Sequence, residues 1–256
     1  MSTEQQQQQQ QQQLFIITGS SRGMGEAMAQ QLLEPGHVVL GLARQQSAAL
    51  AIAARNRGAE LLQWQADLAE PLAVAQKLRD WLKDQPLERF SRVHLINNAA
   101  LVSQPGPVES VSLEELSATV RVGLEAVMLL SQAFIQGCAH MKRTEQRILN
   151  ISSGLGRRAM AGTAPYCAVK AGMDNLSRAM ALDGAKVVSL APGIIDTDMQ
   201  IRLRSGDPAL FPDQPRFAAF KSEGALDSPA GAAAKVLRYL RRSDFGETVL
   251  ADVREA

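Results

Sequence analysis

Aromatic residues are scarce, at 4% of the chain, and cysteine is nearly absent, with only Cys138 and Cys167. A core must therefore be aliphatic, and two thiols exclude a disulfide scaffold. A reducing cytoplasm is the expected compartment. The three histidines, His37, His94 and His140, fall at no ligand spacing, so no metal site is expected. Charge of one sign is not in excess: 27 Lys and Arg face 26 Asp and Glu, a formal net charge of +1. A nucleic-acid partner usually demands a basic surplus, so none is expected. No stretch approaches the roughly 18 apolar residues that span a bilayer. The N-terminus lacks the basic-then-apolar order of a secretory signal, and no membrane partner is expected.

What is present begins with glutamine. Gln5 to Gln13 run without interruption. Such a segment cannot bury apolar surface, so residues 1–13 are read as a disordered tail. Residues 14–256 are read as one domain in which short apolar runs alternate with helical stretches. Strands are expected at residues 14–18, 37–42, 60–65, 93–97, 148–152 and 186–190, with a last one at 248–251. Helices are expected at 23–34, 45–57, up to about 84, 112–140, 165–182 and 228–242. Ser112 with Glu115 makes a capping box for the longest of them. Residues 197–220, with Pro208, Pro212 and Pro215, read as irregular. Short apolar strands between helices imply a parallel sheet covered on both faces. Right-handed crossovers make it an α/β, doubly wound sheet of Rossmann type with about seven strands.

The first strand runs into Thr18-Gly19-Ser20-Ser21-Arg22-Gly23-Met24-Gly25, which opens a helix. Glycines let backbone N–H groups approach a phosphate at a helix N-terminus, so this turn suits a dinucleotide. The end of the second strand speaks to which one. An NAD site places a carboxylate there for the ribose hydroxyl. Here the sequence reads Gly41-Leu42-Ala43-Arg44. Arg22 and Arg44 are expected to flank a 2′-phosphate by charge-assisted bonds, which favours NADP. The missing acid also lowers a methyltransferase reading. Further on, Tyr166 and Lys170 are four apart on one helical face. An ammonium beside a phenol lowers its pKa, and such a phenol exchanges protons readily. Ser152 and Ser153 end the strand before them.

At these residues the sequence resembles the short-chain dehydrogenase/reductase family. The resemblance covers residues 14–253. It rests on the glycine turn, Asp67-Leu68, Asn97-Asn98-Ala99-Ala100, Ser153, Tyr166-Cys167-Ala168-Val169-Lys170, and Pro192-Gly193 with Thr197. Within the family the sequence is similar to the sepiapterin reductase and benzil reductase group, through Tyr166-Cys167 and the segment Pro192 to Gln200. The resemblance implies an NADPH-dependent reductase of a ketone or aldehyde, diketone-like or pterin-like. Tyr166 would protonate the carbonyl oxygen, Ser153 would hydrogen-bond it, and Lys170 would hold the ribose and tune the phenol. Gly19, Ser21, Arg22, Gly23, Met24, Gly25 and Arg44 would line the nucleotide end. Asp67 and Leu68 would lie near the adenine, Asn97 and Ala99 along the cofactor, and Pro192, Gly193, Ile195 and Thr197 near the carboxamide.

Three positions depart from the family pattern. Gly123 stands where the family has an asparagine that holds a water linked to the lysine, so slower proton transfer is expected. Ala100 replaces a glycine. Sepiapterin reductases anchor the pterin through a carboxylate near the C-terminus, but Leu250 falls at that position, with Asp252 two residues on. An apolar diketone is thus as plausible a substrate as a pterin. The segment from Gln200 to Lys221 is expected to be a lid whose Met199, Leu203, Leu210, Phe211 and Phe217 shape an apolar pocket. Cys167 is read as a small core residue. Val127, Leu130 and Phe134 on the long helix are expected to serve a homodimer or homotetramer. The rival reading is a non-enzymatic NADP-binding sensor, against which Ser153, Tyr166 and Lys170 argue.

Overall fold

The structure is a computed structural model that describes residues 12–86 and 89–255. The tail reading therefore lies outside the described residues over 1–11. Gln13, assigned to the tail, instead opens the first strand, where its Oε1 meets His94 Nε2 at 3.0 Å. The order is β1 (Gln13–Thr18), α1 (Gly23–Leu32), β2 (His37–Ala43), α2 (Ala48–Arg57), β3 (Glu60–Gln65), α3 (Pro71–Lys83) and β4 (Arg92–Asn97). There follow α4 (Leu113–Val120), a π turn (Arg121–Glu125), α5 (Ala126–Gly137), β5 (Glu145–Ile151), α6 (Ala164–Leu182) and β6 (Val187–Ala191). Then come α7 (Asp198–Arg204), α8 (Gln214–Ser222), α9 (Pro229–Leu240) and β7 (Leu250–Asp252).

Local chemistry explains most of these boundaries. Ser47, Ser112 and Ser228 each accept a backbone N–H from the first turn of the helix that follows. Pro71, Pro165 and Pro229 sit in first turns, where no N–H is needed. Gly58, at φ +65°, closes α2 in the left-handed conformation that glycine adopts without strain. The segment expected to be irregular holds two short helices instead. Pro215 sits in the first turn of α8, and Asp198 complements the N-terminus of α7. Proline counted against helix there, whereas its position favours one.

All seven strands are parallel, in the order β3-β2-β1-β4-β5-β6-β7. This is a Rossmann-type doubly wound sheet in a single domain. The strand order reverses between β1 and β4, which opens a crevice at their carboxyl ends. One face of the sheet is covered by α1, α2 and α9, with Met28, Leu32, Leu50, Val236 and Leu240 buried against β1, β5 and β6. The other is covered by α3, the π turn and α5, through Leu78, Leu82, Val122, Leu130 and Phe134. The helical run Leu113–Gly137 corrects one expectation. It is long and apolar enough to cross a bilayer by length and composition, with mean hydropathy 1.4 over its best window. Charges at Glu115, Arg121 and Glu125 interrupt every continuous apolar run, which is why a count of consecutive residues missed it. Half of that window is buried in the domain, as in a core helix.

Candidate active site

At the nucleotide end of the crevice the chain is packed by the absence of side chains. Gly19 and Gly23 have φ of +69° and +58°. Gly25 has an ordinary backbone, but a Cβ there would lie 2.1 Å from the Gly19 carbonyl oxygen and 2.5 Å from Asn98 Nδ2. Thr18 Oγ1 accepts the N–H groups of Asn98 and Ala99, each at 2.9 Å, and Asn98 Nδ2 donates to the Thr18 carbonyl at 2.9 Å. The glycine turn is thereby tied to the end of β4. Gly41 in β2 belongs to the same packing, since a Cβ there would meet Ser20 Oγ at 2.4 Å. Among the described residues no side chain caps α1, which leaves its first N–H groups for an anion. A tight glycine cradle and an uncapped helix start fit a dinucleotide phosphate.

Other expected residues fall into place unevenly. Asp67 is exposed at the end of β3 and accepts the Ala69 N–H at 2.9 Å, while Leu68 is buried beside it. Thr197 faces the glycine turn: a Cβ on Gly23 would stand 3.6 Å from its Cγ2. Gly193 turns the chain at φ +86°, beside a buried Pro192, and Ile195 bridges to Asp227. Met24 sends its side chain into the core, so only its backbone serves the turn. The Asn97 side chain is also turned away from the crevice, donating to Asn150 Oδ1 at 2.9 Å and Ser131 Oγ at 3.4 Å. Arg44 is exposed at the end of β2. Arg22 is drawn across the crevice to Asp198 Oδ2 at 2.6 Å.

The second end is built on β5 and α6. Ser153 follows β5 and caps the short turn Gly154–Gly156, accepting the Leu155 N–H at 3.2 Å. Tyr166 and Lys170 are both buried, with the ammonium 5.6 Å from the phenol ring centre. Lys170 Nζ donates to the Ile151 carbonyl at 2.6 Å, two residues before Ser153. The structure thus brings Ser153, Tyr166 and Lys170 together. Burial pushes the Tyr166 phenol up to about 12, against the pull of the Ser153 hydroxyl. Burial brings Lys170 down to about 8, and Asp174 works in the opposite direction. In the protein alone the phenol is therefore held above its ordinary range, because burial outweighs the hydrogen bond from Ser153.

Gly123 lies in the π turn, and a Cβ there would stand 2.5 Å from Val169 Cγ1 on α6. The widened helix persists without an asparagine, and the missing side chain makes room for Val169. Over Tyr166 lies an apolar cover. Val102, Leu203, Phe211 and Phe217 form one buried cluster with Tyr166, joined by Leu155, Met160, Met199 and Phe220. Leu210, expected in this group, is 42% exposed instead, because it ends a turn whose next residue, Phe211, takes the buried place. Cys167 sits beside Thr163 Oγ1 at 3.4 Å, as a small partly buried residue.

Residues 13–208 match the short chain dehydrogenase family. The chain belongs to that family. It is 32% identical to a benzil reductase ((S)-benzoin forming) of Bacillus cereus over 245 residues, 93% of this chain and 98% of that protein. It is also 32% identical to a sepiapterin reductase of Rattus norvegicus, covering 90% of this chain and 92% of that protein. A solved short-chain dehydrogenase/reductase from Burkholderia vietnamiensis is 32% identical, with a TM-score of 0.62 over 94% of this chain and 97% of that one. A 3-oxoacyl-[acyl-carrier protein] reductase from Brucella melitensis shares the fold at a TM-score of 0.77 and 21% identity, over 95% of this chain and 96% of that one.

Two features of this short-chain dehydrogenase escaped the sequence reading. Asn98, Ser20 and Gly41 brace the glycine turn. An isolated glycine inside an apolar strand is a signal of close approach that would have found Gly41. Asp252, weighed as a pterin anchor, is 5% exposed and already engaged by Arg254, whose Nε and Nη2 stand 2.8 and 2.5 Å from its carboxylate oxygens. That partner lies two residues on, at the chain's end, where no pattern announces it.

Proposed function

We propose that this short-chain dehydrogenase reduces a ketone or aldehyde carbonyl with NADPH. The observation that carries the reading is the meeting of Ser153, Tyr166 and Lys170 beneath an apolar cover, beside the glycine cradle. When bound, the nicotinamide supplies the hydride. Tyr166 donates the proton to the carbonyl oxygen, and the Ser153 hydroxyl hydrogen-bonds the same oxygen. The Lys170 ammonium offsets the phenolate charge that develops as the proton leaves, an interaction strengthened by exclusion of water. Arg22 and Arg44 receive the 2′-phosphate, with Arg22 exchanging Asp198 for it. The absence of a carboxylate at the end of β2 supports NADPH over NADH.

Within the diketone-or-pterin range, the apolar diketone has the better support. The cover over Tyr166 is aliphatic and aromatic, and the Asp252 carboxylate is held by its own chain. NADPH oxidation against a panel of diketones, quinones and pterins tests the reading. Turnover with apolar diketones is expected, whereas no turnover with any carbonyl would refute it. We further propose a homodimer or homotetramer built on the long helix and α6, where Val120, Met128, Ile135 and Leu182 are exposed. These differ from Val127, Leu130 and Phe134, which are buried within the domain. A light-scattering mass of one chain would refute the assembly.

A further inference from the structure

Beneath Lys170 lies a second charged group that the reaction outlined above does not use. Asp174 is one turn along α6 and 3% exposed. Its Oδ1 accepts the hydroxyl of Ser152 at the end of β5 and that of Ser189 in β6, both at 2.6 Å. Its Oδ2 faces Arg157 Nε at 3.4 Å, and the same guanidinium donates to the carbonyls of Ala251 and Ser189 at 2.9 and 3.3 Å. Gly156 completes the enclosure, since a Cβ there would lie 2.9 Å from Asp174 Oδ2 and 2.9 Å from the Lys170 carbonyl oxygen. A single carboxylate therefore joins β5, β6, the Ser153 turn and α6.

We infer that Asp174 is a positioning residue, which holds Lys170 as an ammonium and pins the Ser153 turn onto α6. The inference rests on the reading that Tyr166 and Lys170 carry the reaction. A buried ammonium without a counter-charge sheds its proton, and a neutral lysine offers a developing phenolate nothing. Among the described residues, the surroundings of Lys170 leave few other sources of negative charge. On α6 it has Tyr166 and Asp174. The π turn packs at Val169 with Gly123, which has no side chain. On α4, Glu115 is paired to Arg202 of α7, and on β7 Asp252 is paired to Arg254. From β5 and β6 come hydroxyls, and from the turn after β5 the cation Arg157. Burial depresses the lysine, and Asp174 is the charge that opposes it.

Two substitutions have opposite consequences for the lysine. Asp174→Asn keeps a hydrogen-bonding side chain but removes the negative charge. Arg157→Gln removes the competing cation and leaves that charge to Lys170. The titration of Lys170 is read by NMR in the cofactor-free protein labelled at lysine Cε, the signal being assigned with Lys170→Met. The midpoint is expected to fall by about 0.5–1 pH unit in Asp174→Asn and to rise in Arg157→Gln. The alkaline limb of kcat/KM for carbonyl reduction is expected to follow in the same directions. Midpoints that stay put, or that both move the same way as loosened packing would cause, overturn the inference. Should Asp174→Asn fail to fold, the rise in Arg157→Gln decides alone, since that side chain is 31% exposed. Opposite shifts in a protein that reduces no carbonyl uphold the electrostatic role and overturn the reductase reading instead.

Discussion

Around Gly19 the crevice is shaped by atoms that are missing, and around Lys170 by charges taken out of water. At the first end, a Cβ on Gly25 or Gly41 would come within 2.1 or 2.4 Å of an oxygen, and only backbone and small side chains meet. At the second, an ammonium and a carboxylate are buried a turn apart on α6. The two ends therefore fail differently. The glycine turn is sensitive to volume and indifferent to pH. The Lys170 end tolerates isosteric change but responds to every charge.

The largest effect that sharpens this contrast is expected from Gly25→Ala. One methyl forced against the Gly19 carbonyl costs about 1–3 kcal/mol of stability, equally at pH 6 and pH 9, and abolishes NADPH binding. Denaturant unfolding and cofactor titration read both. A pH-dependent cost would break the comparison.

Lys170→Met is expected to abolish turnover and to remove one pH-dependent contribution to stability. The sign of the linkage checks this independently. Lys170 in the folded chain sits at about 8, below its ordinary 10.5. Between those values the unfolded chain binds more protons, so the parent gains stability as pH rises through the window. The variant is expected to lose that slope.

A smaller effect is expected far from the crevice. His94 is buried, stacks on Phe15 at 4.5 Å and is brought down to about 3, chiefly by burial. The unfolded chain takes up this proton below about 6.5, so stability is lost as pH falls through the range from 6.5 to 3. The loss reaches about 2 kcal/mol at pH 5. His94→Phe keeps the stack and is expected to flatten that acid limb in urea unfolding curves.

The same contrast explains what the sequence disclosed. Strand runs such as Leu14 to Thr18, the glycine turn and the Tyr166-to-Lys170 spacing are local patterns, and they appear where the spacing placed them. Asp174 was invisible because its partners come from β5, β6 and the turn at Arg157, which only the folded sheet brings together. Met24 and Asn97 stand at positions that match the family, but which way each side chain turns depends on the neighbouring strands and helices. Arg22 meets Asp198 for a like reason, since the two are far apart in sequence and only the fold brings them together. Leu210 and Phe211 are adjacent and both apolar, and the turn between α7 and α8 decides which is buried.

The central claim is that Tyr166 donates the proton in a carbonyl reduction. Its most direct test is steady-state NADPH oxidation by Tyr166→Phe with an apolar diketone, alongside NADPH affinity from fluorescence titration. Loss of kcat by about 10²–10⁴ with NADPH affinity retained is expected. Turnover undiminished in Tyr166→Phe would contradict it.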